Sequence, residues 1–196
     1  VEFKNYWFLN LTARNDWSST MPKGNNSYFY PSVSSSFVFS EAFGLTNDIF
    51  SFGKIRASYA VAGNDADPYS TIQTYTKANP GDGTRGNIDF PFNGLNGFKM
   101  SSVLASSELK PEIVTEYEFG TELKFFKNRV NLELSYYNKQ SEKQILQQPI
   151  AASSGYNYRV ANAGKLKNSG VEVMLDIAPV KTSDFQWNVV TNFAKN

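Results

Sequence analysis

Cysteine and histidine are both absent from the 196 residues of this chain. Without cysteine, a disulfide scaffold, a thiolate metal site and a cysteine nucleophile are excluded. Without histidine, the commonest general base and the commonest metal ligand are missing. Charge of one sign is also lacking: 19 Lys and Arg face 18 Asp and Glu, a formal net charge of +1. That balance offers no electrostatic footprint for nucleic acid. No apolar run approaches the ~20 residues of a membrane-spanning helix. No basic-then-apolar leader opens the chain, which begins in mid-pattern at Val1-Glu2-Phe3-Lys4.

What is abundant is aromatic. There are 16 Phe and 11 Tyr, and aromatics make up 15% of a chain whose mean hydropathy is only -0.40. Many aromatics with a polar average fit strands that are apolar on one face. A soluble β-sandwich has the same composition.

The pattern along the chain is period-two alternation. Trp7, Leu9, Leu11 and Ala13 oppose Phe8, Asn10, Thr12 and Arg14, and Ile55, Ala57, Tyr59 and Val61 oppose Lys54, Arg56, Ser58 and Ala60. Residues 116–125, 131–136, 171–177 and 185–193 alternate in the same way, and residues 28–39 form another candidate. About seven strands result, most near the ~9–11 residues of a tilted membrane-spanning strand. Links at 126–128 and 179–184 are short, whereas those at 15–27, 62–111 and 142–164 are long. If the strands run up and down, every long link falls at one end, and the other end holds the short turns and a medium link at 40–51. Residues 41–47 could form one short helical turn. Loops sorted in this way fit an outer-membrane barrel and have no rationale in a sandwich.

The polar face carries Lys54, Arg56, Glu116, Glu118, Glu122, Lys124, Glu133, Glu172 and Asp176. In a barrel these point into a wet or plugged lumen. On a lipid face each basic residue would cost ~2–4 kcal/mol at the midplane. Tyr6, Trp7, Phe125, Phe126, Phe185 and Trp187 lie near strand ends and suit an interfacial girdle, although ordinary core packing would also use them. An odd strand number does not close a bacterial single-chain barrel, and open edges are not tolerated in lipid. The expectation is therefore an all-β, antiparallel up-and-down transmembrane β-barrel, of which residues 1–196 are one part.

Several segments resemble one family in order. Leu11-Thr12-Ala13-Arg14-Asn15-Asp16-Trp17-Ser18-Ser19 resembles a strand ending in Arg-x-Asp-x-Ser-Ser, and Tyr30-Pro31-Ser32-Val33-Ser34 a Phe-Pro-Ser-x-Ser segment. Ile55-Arg56-Ala57-Ser58-Tyr59-Ala60-Val61-Ala62-Gly63-Asn64 is similar to a Leu-Arg-Ala-Ser-Tyr-Gly-x-x-Gly-Asn block. Leu109-Lys110-Pro111-Glu112, Tyr136-Tyr137-Asn138-Lys139 and Asn168-Ser169-Gly170-Val171-Glu172 continue the series. The family is the SusC/RagA-type TonB-dependent outer-membrane transporters. Ala60 stands where that family usually has Gly, and Pro111 where it has Trp.

The resemblance implies a barrel of ~22 strands with a plugged lumen. It implies a plug domain and barrel ends outside this chain, a TonB-contacting segment also outside it, and a SusD-like surface lipoprotein as lid. It implies location in the outer membrane of a Gram-negative bacterium as a multi-pass protein, and import of oligosaccharides or peptides. No cofactor, no metal and no nucleic acid are expected. The alternatives are a soluble β-sandwich adhesin or carbohydrate-binding module, and a passive porin.

The loop aromatics Trp17, Tyr69, Tyr75, Phe92, Tyr156 and Tyr158 are the candidate substrate- or lid-contacting residues, because aromatic faces suit stacking and interface anchoring. Packing of the loops against each other is the bland reading of each. Asn64-Asp65-Ala66-Asp67 alternates oxygen ligands like a calcium loop but lacks the distal Glu, and reads better as a turn. Gly81-Asp82-Gly83-Thr84-Arg85-Gly86 lacks the Lys-Ser/Thr and helix of a phosphate cradle. The one-face pair Glu116 and Glu118 is explained by lumen charge without catalysis.

Overall fold

The computed structural model describes residues 1–81, 86 and 88–196. Seven long strands form the wall: β2 (Trp7–Trp17), β3 (Ser27–Phe37), β4 (Phe50–Asn64), β8 (Glu112–Phe125), β9 (Val130–Glu142), β12 (Lys165–Lys181) and β13 (Gln186–Lys195). The short β1 (Glu2–Phe3) pairs with the start of β2 and completes an antiparallel sheet ordered β1-β2-β3-β4-β8-β9-β12-β13. Every wall strand pairs with its successor in the wall, which is up-and-down topology.

The long connections 18–26, 65–111 and 143–164 therefore share one end, and the turns at 126–129 and 182–185 share the other. The medium link at that second end holds one helical turn, α1 (Phe39–Ala42), rather than the turn expected at 41–47. The longest loops also contain short strands that alternation does not reveal: β5 (Tyr75–Lys77) with β6 (Phe98–Met100), and β10 (Ile145–Pro149) with β11 (Tyr158–Asn162) and β7 (Val103–Leu104). Among the described residues no second sheet covers the wall, so the sandwich alternative fails.

At the centre of the sheet the two faces are solvated in the reverse of a soluble sheet. On β4 and β8, Lys54, Arg56, Glu116 and Glu118 are half-buried, whereas Ile55 and Phe119 stand 50% and 55% exposed. One hydrogen-bonded row on the apolar face runs Trp7, Phe37, Ile55, Thr121, Leu134, Val173, Phe193. An apolar face left open to its surroundings needs an apolar medium.

The apolar band crosses the ladder diagonally. On β2 it runs from Trp7 to Trp17, and on β12 from Val171 to Val180. The row that starts at Trp7, the lowest residue of the first run, ends near the top of the second at Val173. The drift is roughly seven residues over five strand-to-strand steps. With ~3.3 Å per residue and ~4.8 Å between strands, a level band requires strands tilted by about 40°, the tilt of a closed barrel.

All six expected girdle aromatics lie at the short-turn end. Rings there form two chains, Phe3–Tyr6–Phe37–Phe43 and Phe39–Phe50–Phe125, with centroids 5.6–6.0 Å apart.

Candidate functional site

The best-buried apolar cluster is not in the wall but in the loops. Met21, Ala66, Leu109 and Val160 come from all three long connections, and Leu109 is 0% exposed. Tyr28, Val103 and Ile145 pack against them. A wall strand gives one face to each medium and keeps no core for itself, so ordered loops must build their own.

Polar clasps lock the same module. Asn162 Nδ2 donates to the Lys110 and Lys143 carbonyls at 2.6 and 2.8 Å, and its Oδ1 accepts the Lys110 amide at 2.8 Å. The Glu112 carboxylate accepts the Ile145 amide at 2.6 Å and the Asn64 side-chain amide at 3.1 Å. Asn25 Nδ2 donates to the Leu109 carbonyl at 3.1 Å. Each bond joins separate stretches of chain, so the long-loop end of the sheet behaves as one body.

Of the six candidate aromatics, two neighbour the same residue, Met100. Tyr75 on β5 is the register partner of Met100 on β6, and the Tyr156 hydroxyl lies 3.1 Å from Met100 Sδ. Tyr158 opens β11 beside Val103, and its amide shares the Ser102 carbonyl with that of Asn157. Tyr69 stands exposed in a turn between Asp67 and Ser70, with φ of 68°. Phe92 bridges to Leu95 in a separate tight turn. Trp17 is not a loop residue. It ends β2 on the apolar face, because Arg14 and Asp16 alternate to the polar face and pair there at 2.7 Å.

The Asn64–Asp67 stretch is absorbed in packing. The Asp65 carboxylate accepts the Tyr28 hydroxyl, and the Ala66 amide lies 3.4 Å from Met21 Sδ. Among the described residues no cluster of three acidic side chains is placed to hold a metal. The glycine-rich stretch at 81–86 falls largely outside the described residues.

The polar face carries a charge lattice. Glu122 bridges Lys54 at 2.5 Å and Lys124 at 3.1 Å. Arg56 pairs with Glu118 at 3.2 Å and donates to Ser135 Oγ at 2.6 Å, two strands away. It reaches that far because Gly120 lies between them, and a Cβ there would meet Arg56 Nε at 2.5 Å. Tyr137 lies over Gly170 in the same manner, and its hydroxyl donates to Asn196. A lone glycine inside an alternating strand is the sequence signal for such a close approach. Glu118 faces Arg56 and Glu116 sits opposite Lys139, an arrangement of lattice charges rather than of an acid and a base.

The family model described as TonB dependent receptor-like, beta-barrel matches residues 1–196. TonB-dependent receptor P26 of Formosa agariphila is 30% identical over 200 residues, covering 99% of this chain and 19% of the relative. TonB-dependent receptor SusC of Bacteroides thetaiotaomicron is 25% identical, covering 98% and 19%. The chain thus spans about a fifth of the length of the curated relatives it matches. Among solved structures, the RagAB peptide importer in its closed-closed state superposes with a TM-score of 0.82 at 23% identity, over 98% of this chain and 20% of that one. The siderophore receptor PirA from Pseudomonas aeruginosa superposes with a TM-score of 0.60 at 19% identity, over 99% and 32%.

Proposed function

Because the chain belongs to the TonB dependent receptor-like β-barrel family, we propose that it is a strip of the outer-membrane wall of an energised importer. The apolar face meets lipid and the charge lattice meets the lumen. The clasped loops form part of the extracellular mouth. The observation that carries this reading is the inverted solvation at the centre of the sheet, with paired charges on one face and bare Ile55 and Phe119 on the other. The plug domain and the remaining strands lie outside the 196 residues, and so does the segment that TonB engages.

The imported solute is an oligosaccharide or a peptide, too large for passive pores, delivered through a SusD-like surface lipoprotein. The likeness to a peptide importer supports the peptide class, and the exposed tyrosines suit either class by stacking. Tyr69, Tyr75, Phe92, Tyr156 and Tyr158 are the proposed contacts with solute or lid. Trp17 serves instead as an interfacial anchor, since its ring lies on the lipid side at the mouth end. No residue here is assigned a catalytic role.

The test is deletion of the gene in its host, with peptides and oligosaccharides offered as sole nutrients. A growth defect on one class, reproduced in wild type by a protonophore, is the expected result. Uptake that persists with the protonophore would leave a passive porin. Recovery of the full-length protein in the soluble fraction would overturn the wall assignment.

A further inference from the structure

The wall is not laddered along its whole height. β3 pairs with β2 over its full length, out to Ser27 opposite Trp17, and β4 pairs with β8 out to Asn64 opposite Glu112. Between β3 and β4 the register stops at Ser32 opposite Ala60. Next on β3 stands Pro31, which has no N–H to give to a ladder. Beyond it, toward the long loops, residues 27–31 stay with β2 and residues 61–64 stay with β8, and a seam divides them. The seam lies between interior strands of the eight-stranded sheet, so this chain supplies both of its flanks.

Side chains span the seam where backbone does not. The Tyr28 hydroxyl donates to the Asp65 carboxylate, and the Tyr30 ring lies against Gly63, where a Cβ would meet it at 2.6 Å. The Tyr28 and Tyr30 rings are 5.5 Å apart. Tyr30 borders two cavities that share Val61, Ala62 and Gly63. One, of about 370 Å3, opens beside Thr12, Arg14 and Ser32 on the charged face. The other, of about 280 Å3, lies toward the loops and is edged by Asn25, Lys110, Glu112 and Lys143. Glu112 turns one oxygen to the Ile145 amide and the other to Asn64. Lys110 and Lys143 make no ion pair among the described residues, and Glu142 beside them is held by Lys165 at 2.8 Å. Asn162 binds the carbonyls of both lysines, which keeps the two cations at one rim.

One ligand has to satisfy three features. Strand backbone without a register partner calls for amide groups at strand spacing, which a peptide repeats and a sugar chain does not. Tyrosine faces take up a side chain. Two unmatched ammonium groups at the far rim take up a carboxylate. Resting on the wall assignment and the import reading above, we infer that the seam is a binding site for the C-terminal end of an extended peptide. The terminal carboxylate meets Lys110 and Lys143, and the preceding residue runs past Tyr30 toward the charged face. The clasped loops hold this site ready-made, so the ligand enters without reordering them.

The test uses the full-length protein purified in neutral detergent. It is incubated with an equimolar mixture of random-sequence pentapeptides, once as free acids and once as C-terminal amides, and retained peptide is counted by mass spectrometry. The free acids should be retained on the order of tenfold better than the amides, and K110Q/K143Q should erase that difference. K110R/K143R, which keeps both charges, should preserve it, as should K127Q at the short-turn end. Equal retention of acids and amides by the wild type would overturn the inference and leave peptide import standing. A K110Q/K143Q variant that keeps the preference would do the same. Retention of neither form would also overturn it, and binding of neutral or uronic-acid oligosaccharides in their place would overturn the peptide class for the whole importer.

Discussion

Arg56 on β4 donates to Ser135 on β9 at 2.6 Å across the full width of β8, and it does so over Gly120, the register partner of both. Three strands are thereby tied by one side chain in addition to their backbone ladders. Any side chain at position 120 must push the guanidinium aside, since its Cβ would fall 2.5 Å from Arg56 Nε. G120V is expected to lower barrel stability by about 1–3 kcal/mol, the range for an overpacked site. The temperature at which the full-length protein loses its heat-modifiable gel migration measures this. An unchanged temperature would show that Arg56 relocates at no cost.

Glu122 is the hinge of the charge lattice, held between Lys54 and Lys124 with only 16% of its side chain exposed. In E122Q the shape remains, but two ammonium groups face each other without a carboxylate between them. Loss of about 1–2 kcal/mol is expected, between the value of an exposed pair and that of a charged hydrogen bond in a drier site. High salt should narrow the gap between variant and wild type, because screening acts on the repulsion left behind. Urea unfolding in detergent at low and at high salt gives both numbers. A gap that does not respond to salt would assign the loss to packing.

Leu109 carries the loop module, and the one wall residue packed against its cluster is Tyr28, at the long-loop end of β3. L109A is therefore expected to cost about 2–4 kcal/mol of local stability without moving the melting of the wall. The readout is protease nicking of intact cells within residues 65–111 and 143–164. N162A should act on the same loops through loss of its three clasping bonds. Wall melting that falls in step with loop nicking would show that the module and the wall unfold as one unit.

The wall was legible because its physics is local. Each strand repeats the same choice between two media every second residue, and most of the wall follows the alternation, β3 and the first residues of β12 least. In sequence, position 17 reads as loop because Arg14, Asn15 and Asp16 look like the start of one. They are strand residues whose polar side chains go inward in turn, with Arg14 and Asp16 closing an ion pair. The loop module was not legible, since β7 and β11 pair from segments over 50 residues apart and no period announces either one. Arg56 over Gly120 lies between these cases. The glycine marks a close approach, but only the register names the side chain that makes it.

Side-chain polarity and medium can be read position by position with cysteine probes, which these 196 residues permit because they contain no cysteine of their own. Cysteines at Glu118 and Phe119 on β8, and at Ser135 and Tyr136 on β9, are neighbours in sequence on opposite faces. A membrane-impermeant charged thiol reagent should label positions 118 and 135 through the aqueous lumen and leave 119 and 136 unlabelled. A reagent soluble in hydrocarbon should give the opposite pattern. Labelling of all four by the charged reagent would place both faces in water and end the barrel assignment.

Tyr75 and Tyr156 both neighbour Met100, whereas Phe92 stands apart in its own turn, so the candidate aromatics divide into a group and an outlier. A ligand that stacks on the group loses two platforms in Y75A/Y156A, each worth about 0.5–1.5 kcal/mol of specific contact. Solute uptake at limiting concentration should fall by roughly tenfold or more in that variant, while F92A changes it little. W17A should leave uptake unchanged and shift only the stability of the protein in membranes, as befits a ring on the lipid side. Uptake rates of the three variants, each normalised to surface-exposed protein, separate these roles. A loss in W17A equal to that in Y75A/Y156A would return Trp17 to the solute path, and would require the mouth end of β2 to face the lumen.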